Sequence, residues 1–485
     1  MLTIQEIKEF INNDKASEKK LLARVGERYY EGEHDIRDSK VYYYDANGIL
    51  KEDKSKSNIK ISHPFFTELI DQKIQYQFSG DSYVYSHIQE LQEELDEYIN
   101  HNEDFKAELE EVATNASVMG YGYLYLFRDK EGKLSWQSAD TMGVVEVRAK
   151  ETQDNCDYVI YWYVDRITNK NEKIKKIQVW TDKEVYFYVE KNDEGIQLDE
   201  SEPVNPRTHS IYTIKGKEGN YGESFGFIPF FRLDNNRKQI SDLKPVKALI
   251  DDYDLMACGL SNNLQDLTEG YFVVKGFAGD SMDELIQNIK TKKAVGVDED
   301  GDVDIRSVAI PYEARRTKME IDEKNIYRFG MGFNSAQVGD GNVTNIVIKS
   351  RYALLDLKCN KFETNLRRLL NKVVKVVLDE INAINKTAYS LKDIYYEFER
   401  EVMTNATDNA MIEQTQATTR QIEVNTLLNL AASIDNETIV RNVCELMDWD
   451  YEELKDRLPK DETDLSNLET DLNNIPIEDE NVGVE

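Results

Sequence analysis

The stretch that decides the fold is GNVTNIVIKSRYALLDLKCNKFETNLRRLL, residues 341–370. It opens a run, 342–458, that contains neither Gly nor Pro, the two residues that normally punctuate helices. From Ile346 to Ile384, apolar side chains recur at helical spacing, which predicts one helix roughly 58 Å long. The apolar stripe of this helix consists of Ala353, Leu354, Leu357, Phe362, Leu366, Leu369, Val373, Val377 and Ile381.

A Gly-rich segment, GMGFNSAQVGDGN (330–342), precedes this helix and is predicted to be a loop. Two more helices are predicted upstream of the loop. The first covers about 25 residues after Ser241, with Pro245 tolerated in its first turn. The second covers 313–329. The chain therefore presents two helices, a polar loop and a very long helix in succession.

A small mixed segment lies between the two shorter helices. It begins with a predicted strand, YFVVKG (271–276), and continues with a candidate helix, DELIQNIK (283–290). The following segment, AVGVDEDGDVDIRSVAI, has Asp300-Gly301 between two β-type runs. That dipeptide predicts a hairpin turn.

The N-terminal half changes from helical to β-type patterning near Gly120. Residues 1–115 show interrupted helical stripes around a polar loop at 45–58. Beyond them, GYGYLYLFRDKEGKLSW (120–136) predicts a hairpin around a DKEG turn. Further strands of an antiparallel meander are predicted at 157–165, 173–181 and 184–190, closing near 227–236, and a short strand at 393–399. We expect an α+β fold.

Composition narrows the functional classes. The 485 residues suggest roughly two to four domains or one elongated, multi-part subunit. Acidic residues outnumber basic ones by 92 to 60, for a formal charge of −32. This balance disfavours tight, sequence-independent DNA binding, which requires Lys and Arg at the phosphates. It suits a protein that surrounds DNA without holding it, although many soluble proteins are equally acidic.

Cysteine usage and hydropathy predict a protein made in a cytoplasm. Cys156, Cys258, Cys359 and Cys444 are too widely spaced for a metal site or a disulfide framework. No apolar run is long enough for a membrane span, and the charged N-terminus has no secretory core. From Asp461 the chain has no Lys or Arg and many carboxylates, which predicts an acidic disordered tail.

No enzyme signature is present, so we predict no catalytic residues, no metal and no cofactor. The chain lacks a phosphate-binding loop motif and a zinc-protease motif, and none of its five His stands at ligand spacing from another. The acidic run Asp298, Asp300, Asp302 and Asp304 lacks the glycine and glutamate positions of a calcium loop. We interpret it as a solvated hairpin tip. The segment 275–285 is interpreted as a plain turn.

Two basic clusters interrupt the acidic chain. Lys290, Lys292 and Lys293 could mark a docking surface for an acidic partner, or an ordinary exposed helix end. Arg315, Arg316 and Lys318 could serve ion pairs between subunits or contacts with DNA phosphates. The sequence does not separate these alternatives.

Long segments of the chain resemble the portal-protein family of siphophages that infect Gram-positive bacteria. The similarity is carried by GFIPFFRLDNNRKQISDLKPVKALIDDYDLMACGLSNNLQD (226–266) and by the stretch 341–370. NIKISHPFFTELIDQKIQYQFSG (58–80) and the hairpin at 120–136 resemble the N-terminal half of that family. The resemblance covers roughly residues 25 to 400 and consists of patterns in register over long segments.

The resemblance implies a cone-shaped homo-oligomeric ring, usually dodecameric, at one vertex of a virion capsid. It divides the chain into parts by position. These are a wing (1–235), a stem helix (236–267), a clip (268–311), a second stem helix (312–329), a tunnel loop (330–343), a spine helix (344–385), a wing strand with crown helices (386–460) and the acidic tail (461–485). Two striped stem helices cannot bury their apolar faces alone, so neighbouring subunits are expected to cover them.

The implied tunnel loop would project toward DNA. Its glycines give conformational freedom, and its amide and hydroxyl side chains offer hydrogen bonds without fixed charge. Thr344 is the expected N-cap of the helix that follows. The channel-loop residues are Gly330, Gly332, Asn334, Ser335, Gln337, Gly339, Asp340, Gly341 and Asn342.

The resemblance also implies partners and a place of assembly. The expected partners are other copies of the chain, double-stranded DNA in transit, a terminase, a head-completion or adaptor protein, and scaffolding and major capsid proteins, with no membrane. Assembly is expected in the cytoplasm of the bacterial host, and a largely acidic channel is expected to repel DNA. The competing hypotheses are a helical scaffold or adaptor and a metal-dependent nuclease, whose clustered carboxylates are not evident here.

Overall fold

The computed structural model shows an α+β protein with long helices and several small antiparallel sheets. It describes residues 1–485 without 46, 55, 149–155, 168–172, 192–194, 214–219, 267–270, 278–280, 282–296, 307–311, 335–344, 401–405, 431–435, 448, 450 and 452–485. The chain divides into two compact units, one formed by 1–340 with 349–402 and the other by 341–348 with 403–485.

The predicted helical N-terminal region is confirmed. Its helices are α1 (Ile4–Lys15), α2 (Glu18–Tyr30), α3 (Phe65–Gln77), α4 (Gln89–Leu95) and α5 (Glu103–Met119). Helix α1 starts with a capping box in which Thr3 and Glu6 bond each other's backbone N–H groups. Helix α2 crosses α5 at close range, because a Cβ on Gly26 would lie 2.0 Å from the carbonyl oxygen of Val118. Only glycine fits at that crossing.

The predicted polar loop at 45–58 is partly wrong. A small hairpin pairs β1 (Tyr42–Tyr44) with β2 (Leu50–Glu52), with Tyr43 opposite Lys51. The Asp45 side chain organises the turn, since its carboxylate accepts the backbone N–H groups of Asn47 and Ile49. This turn therefore allows the two flanking strands to pair, although the polar composition of the segment predicted a loop.

The predicted meander is confirmed. A three-stranded sheet has the order β14-β4-β5, and the turn at 129–132 joins β4 to β5 through the N–H of Asp129 and the carbonyl of Lys133. A six-stranded sheet has the order β10-β9-β8-β7-β6, with β11 also on β9. The strands are β4 (Tyr121–Arg128), β5 (Leu134–Ala139), β6 (Val144–Val147), β7 (Tyr158–Ile167), β8 (Lys173–Trp180), β9 (Glu184–Lys191), β10 (Ile196–Leu198), β11 (Arg207–Thr208) and β14 (Phe230–Asp234).

Two more pairings complete the N-terminal region. Strands β12 (Ser210–Thr213) and β13 (Asn220–Glu223) form a hairpin. Strand β3 (Val84–Ser86) pairs with β17 (Ile394–Tyr396), which is shorter than the predicted strand 393–399. This pairing joins two strands of the first unit that lie more than three hundred residues apart in sequence.

The long helices follow the sequence prediction closely. They are α6 (Lys247–Asp266), α7 (Tyr312–Gly330), α8 (Asn345–Asn385), α9 (Ala406–Asn429) and α10 (Asn436–Met447). Pro245 precedes α6 rather than standing in its first turn. Within the first unit, the predicted apolar stripe of α8 is buried from Phe362 to Ile381, whereas its members Ala353, Leu354 and Leu357 are exposed. This stripe shares one apolar core with α3, α5 and the β4 sheet.

The predicted hairpin at Asp300-Gly301 is wrong. Strand β15 (Tyr271–Phe277) pairs instead with one continuous strand, β16 (Val297–Arg306), which contains both residues. The register is irregular at this point, because Lys275 faces Asp302 whereas Phe277 faces Val297. Residues 298–301 therefore form a bulge in the strand. Glycine is favoured in bulges as well as in turns, so Gly301 is compatible with both structures. The candidate helix 283–290 and the acidic tail lie outside the described residues.

Candidate functional site

Helices α6 and α7 form the pair that the sequence predicted as stem helices. Gly259 on α6 allows their close contact, because a Cβ there would lie 2.6 Å from Nη1 of Arg315 on α7. Each helix buries only part of its surface within the subunit, although Ile250, Ala257 and Ile326 are covered. Large apolar side chains that stay about half exposed are Leu255, Leu264, Tyr312, Ile321 and Phe329. One subunit therefore leaves a substantial apolar surface of this pair uncovered.

Two of the three basic residues predicted on α7, Arg316 and Lys318, have partners inside the subunit, whereas Nη1 of Arg315 is buried without a hydrogen-bond partner among the described residues. Lys318 pairs with Asp252 on α6 and with Asp322 on its own helix. These hydrogen bonds raise the pKa of Lys318. Arg316 bonds Glu320 one turn along, with Nε 2.9 Å from Oε1. Lys318 thus joins the two helices of one subunit, and a role of these cations toward DNA or a neighbour stays a prediction.

The beginning of the predicted loop is packed tightly against α3. Gly330 is the last residue of α7 and is buried. A Cβ on Gly330 or Gly332 would lie 2.6 or 2.2 Å from the methyl carbons of buried Leu69. Glycine is required here for close approach.

Hydrogen bonds fix the next residues. The Gln72 side chain donates to the Phe333 carbonyl at 2.8 Å and accepts the Phe333 N–H at 2.9 Å. Asn334 Nδ2 donates to Glu323 on α7 at 2.8 Å. The loop base is therefore held in place up to Asn334. Ser335, Gln337, Gly339, Asp340, Gly341 and Asn342 lie outside the described residues, as do Lys290, Lys292, Lys293 and Thr344.

A buried charge cluster connects the loop base to α3 and α8. Lys358 on α8 donates to the Gly330 carbonyl at 2.9 Å and lies 3.2 Å from the Asp242 carboxylate. The Asp242 carboxylate also bonds Lys73 of α3 at 2.9 Å. Burial opposes ionisation of Asp242, but Lys358 and Lys73 outweigh it and hold the pKa of Asp242 well below its usual range. Lys73 is fully satisfied, since it also donates to Ser117 and Asn235, each at 2.8 Å.

A second buried cluster contains a residue from the middle of α6. Asp254 is fully buried, with its carboxylate oxygens 2.6 Å from Nδ1 of His34 and 2.7 Å from Nδ1 of His63. Its carboxylate also accepts the backbone N–H of His63 at 3.0 Å. Burial raises the pKa of Asp254, but the bonds from the two His outweigh it and leave that pKa below its ordinary value. Asp254 therefore attaches α6 to the N-terminal region.

Sequence reasoning missed both clusters. Lys73 and Asp254 occupy positions on the apolar faces of α3 and α6, as the neighbouring buried residues Ile74 and Ala257 show. An ionisable residue on such a face signals a buried partner. The identity of that partner was not readable, because the members lie far apart in sequence.

Comparison with known proteins agrees with this arrangement of helices and loop. The family described as "Phage portal protein, SPP1 Gp6-like" matches residues 8–462. The chain belongs to this portal family. A portal protein of Bacillus phage SPP1 is 30% identical over 346 residues, which cover 70% of this chain and 66% of that protein. A portal protein of Clostridium phage phiCD119 is 25% identical over 408 residues, which cover 78% of this chain and 85% of that protein.

Membership of the portal family confirms the resemblance found in the sequence. The family is structural, so the prediction of a non-enzymatic protein is also confirmed. Within the described part of the chain, no group of three or more His, Cys, Asp or Glu side chains could hold a metal ion. No helix among those residues has the length and apolarity to cross a membrane. All four cysteines are unpaired.

Proposed function

We propose that the chain is the subunit of a portal ring, which forms the DNA channel at one vertex of a phage capsid. The observation that carries this proposal is the uncovered apolar surface of α6 and α7 in a chain of the portal family. Exposed apolar surface can mark an interaction site, and identical neighbours around a rotation axis would cover it. A dodecameric ring is the expected closed form.

In this proposal the loop that starts at Gly330 reaches toward DNA. Its base is held by Gln72, by Asn334 and by Lys358, which ties it to three helices. A loop fixed at its base and carrying neutral polar side chains would contact DNA without gripping it. The formal charge of −32 on each subunit supports a channel that repels the phosphates.

The wing, stem, clip, spine and crown assignments belong to the same proposal. The six-stranded sheet supports a β-rich wing, the pair α6 and α7 supports a stem, and α8 supports a spine. We propose that terminase, a head-completion or adaptor protein, and scaffolding and capsid proteins dock on the ring during packaging, tail attachment and DNA ejection. Assembly would take place in the bacterial host.

Electron microscopy of the purified chain tests the proposal. Negative-stain images and mass photometry are expected to show closed rings with a central hole and a mass that is an integral multiple of 56.2 kDa. Monomers or open filaments under all ionic conditions would refute a portal ring and favour an adaptor. A Mg²⁺- or Mn²⁺-dependent loss of a linear DNA duplex, proportional to the amount of protein, would favour the nuclease instead.

A further inference from the structure

A wide cleft separates α8 from β14 and the segment before it. Its volume is about 1070 Å³. One wall carries the aromatic side chains of Phe225, Phe227 and Phe230, and the other is formed by α8. The cleft is open to solvent, and its α8 wall presents Arg368, Lys372 and Lys375. We call these three residues the basic wall.

The basic wall forms no ion pair among the described residues, although Asp182 and Asp379 also line the cleft. None of its three cations has a carboxylate oxygen within 4.0 Å among the described residues, and the Arg368 guanidinium makes only a 3.5 Å contact with Asn365. The other arginines of the cleft are paired. Arg232 bonds Asp234 at 2.7 Å, and Arg148 bonds Glu146 at 2.9 Å. Three adjacent unpaired cations on a chain of charge −32 mark a surface suited to an acidic partner.

An acidic surface lies elsewhere on the same unit. Glu90, Glu93, Glu94 and Glu97 line a hollow of about 460 Å³ beside the end of α8. We call these four residues the acidic face. They follow each other at helical spacing on one side, where like charges repel. No Lys or Arg of the described chain lies within salt-bridge distance of them.

The two surfaces cannot meet within one subunit. Glu94 is held at the end of α8, where its carboxylate accepts a 2.8 Å hydrogen bond from Asn385. Asn385 lies roughly 15–25 Å along the helix axis from the basic wall and points roughly 80–140° away from it around that axis. Complementary charges that face different directions on one subunit are the requirement for a head-to-tail contact between copies.

We propose that the basic wall of one subunit receives the acidic face of the next subunit, and that this contact helps close the ring. The inference rests on the proposed function, since it names the neighbour as a second copy of the chain. The aromatic wall of the cleft supplies apolar contact for the stems of the glutamates, while the three cations neutralise their carboxylates. The contact would also reject incorrect docking, because basic wall against basic wall is repulsive.

Charge reversal tests this contact. The basic-wall variant carries Arg368→Glu, Lys372→Glu and Lys375→Glu. The acidic-face variant carries Glu90→Lys, Glu93→Lys and Glu97→Lys, with Glu94 kept for its bond to Asn385. Each variant alone is expected to give at least a roughly tenfold lower yield of rings, because like charges then meet at every interface. An equimolar mixture is expected to recover rings in which the two variants alternate.

A matched control separates the specific contact from net charge. Lys8→Glu, Arg24→Glu and Lys133→Glu change the net charge by the same amount as the basic-wall variant, at exposed positions outside both surfaces. This variant is expected to form rings at the wild-type level. Ring yield is measured by mass photometry and negative-stain microscopy at physiological ionic strength, and circular dichroism verifies that each variant is folded.

The outcomes are distinguishable. Rings of wild-type protein, loss in each single variant and recovery in the mixture support the contact. Rings of both single variants would overturn it and leave the portal ring intact. Failure of the mixture to recover rings would equally overturn it, in favour of another occupant of the cleft. Absence of rings with wild-type protein would refute the proposed function itself, and this inference with it.

Discussion

At the scale of single residues, buried charges connect segments that are distant in sequence. Asp254 joins α6 to His34 and His63, and Asp242 joins α3 to α8 through Lys73 and Lys358. Each carboxylate is satisfied by at least two donors, so its burial is tolerable. Removing one member would leave a buried charge without its partner, which is far more costly than losing a surface pair.

Replacement of Asp254 by Asn is expected to destabilise the fold by about 3 kcal/mol at neutral pH. Because the folded pKa of Asp254 is lowered, its stabilising contribution is complete above the ordinary carboxyl pKa of about 4 and is lost as the pH falls through the lower folded value. The melting temperature of the variant at fixed protein concentration should therefore fall less between pH 5 and pH 3 than that of the wild type.

Asp252→Asn is the matched control on the same helix. Asp252 is 38% exposed and pairs with Lys318, so its loss should cost less than about 1 kcal/mol. Equal melting temperatures of Asp254→Asn and Asp252→Asn would show that the buried cluster stabilises the fold no more than a surface ion pair does.

At the scale of elements, the contacts around Gly330 join α3, α7 and α8 at the point where the predicted tunnel loop begins. Gln72 supplies two hydrogen bonds to Phe333, and Lys358 caps the end of α7 by binding the Gly330 carbonyl. A movement of the loop in response to DNA would therefore act directly on these three helices. The helix pair α6 and α7 presents the surface that we propose lies between subunits.

Gln72→Ala is expected to release the loop base. Both hydrogen bonds to Phe333 are lost, which should cost about 1–2 kcal/mol and speed amide hydrogen exchange at 332–334. Hydrogen exchange with mass spectrometry measures the effect. Gln89→Ala, which removes only a 3.4 Å surface bond to Glu93, is the control. Unchanged exchange at 332–334 in Gln72→Ala would contradict the anchoring role.

Leu255→Asn together with Ile321→Asn is expected to reduce ring formation at least tenfold while leaving the melting temperature of the monomer nearly unchanged. Both side chains are about half exposed in the subunit, so their apolar contribution would arise mainly between subunits. Thr317→Asn, an exposed polar position on α7, is the control for ring formation. Mass photometry reports the distribution of species, and a normal ring yield would show that this surface lies outside the interface.

At the scale of the whole molecule, the excess of acidic residues is consistent with the proposed ring. A free chain of charge −32 repels DNA, which would be a defect in a DNA-binding protein. A ring that encloses DNA gains from the same repulsion, because DNA that does not adhere can slide. The basic wall is a local exception, and its proposed use between subunits keeps those cations away from DNA.

Double-stranded DNA is expected to bind the purified protein more weakly than about 10⁻⁴ M at physiological salt. Fluorescence anisotropy of a labelled duplex measures this affinity. Since few phosphates are neutralised, the small residual binding should change little when the salt concentration is raised. Micromolar binding that falls steeply with salt would show a cationic DNA-binding surface and contradict an acidic channel.

Much of the fold was predictable from sequence because it depends on local periodicity. The apolar stripe and the absence of Gly and Pro predicted the helix Asn345–Asn385 almost to its ends. The alternating strands and the DKEG turn predicted the meander. The long segments that resemble the portal family in register also predicted the family. Each matching position alone is weak evidence, but many matching positions together identify the family.

Only the tertiary structure decided the long-range partners. Asp300-Gly301 has the local chemistry of a turn, yet pairing with Tyr271–Phe277 draws it into one bulged strand. Lys73 was visible as a charge on an apolar face, but its partner Asp242 lies 169 residues away in sequence and is shared with Lys358 of α8. The helical spacing of the basic wall and of the acidic face can be seen in the sequence, but only the packing of the chain shows that neither forms an ion pair among the described residues. Helical and strand periodicity depends on residues that are close in sequence, so it can be predicted from the sequence. The partner of a buried charge depends on how the chain packs, because a desolvated charge needs a counter-charge from whichever segment lies beside it.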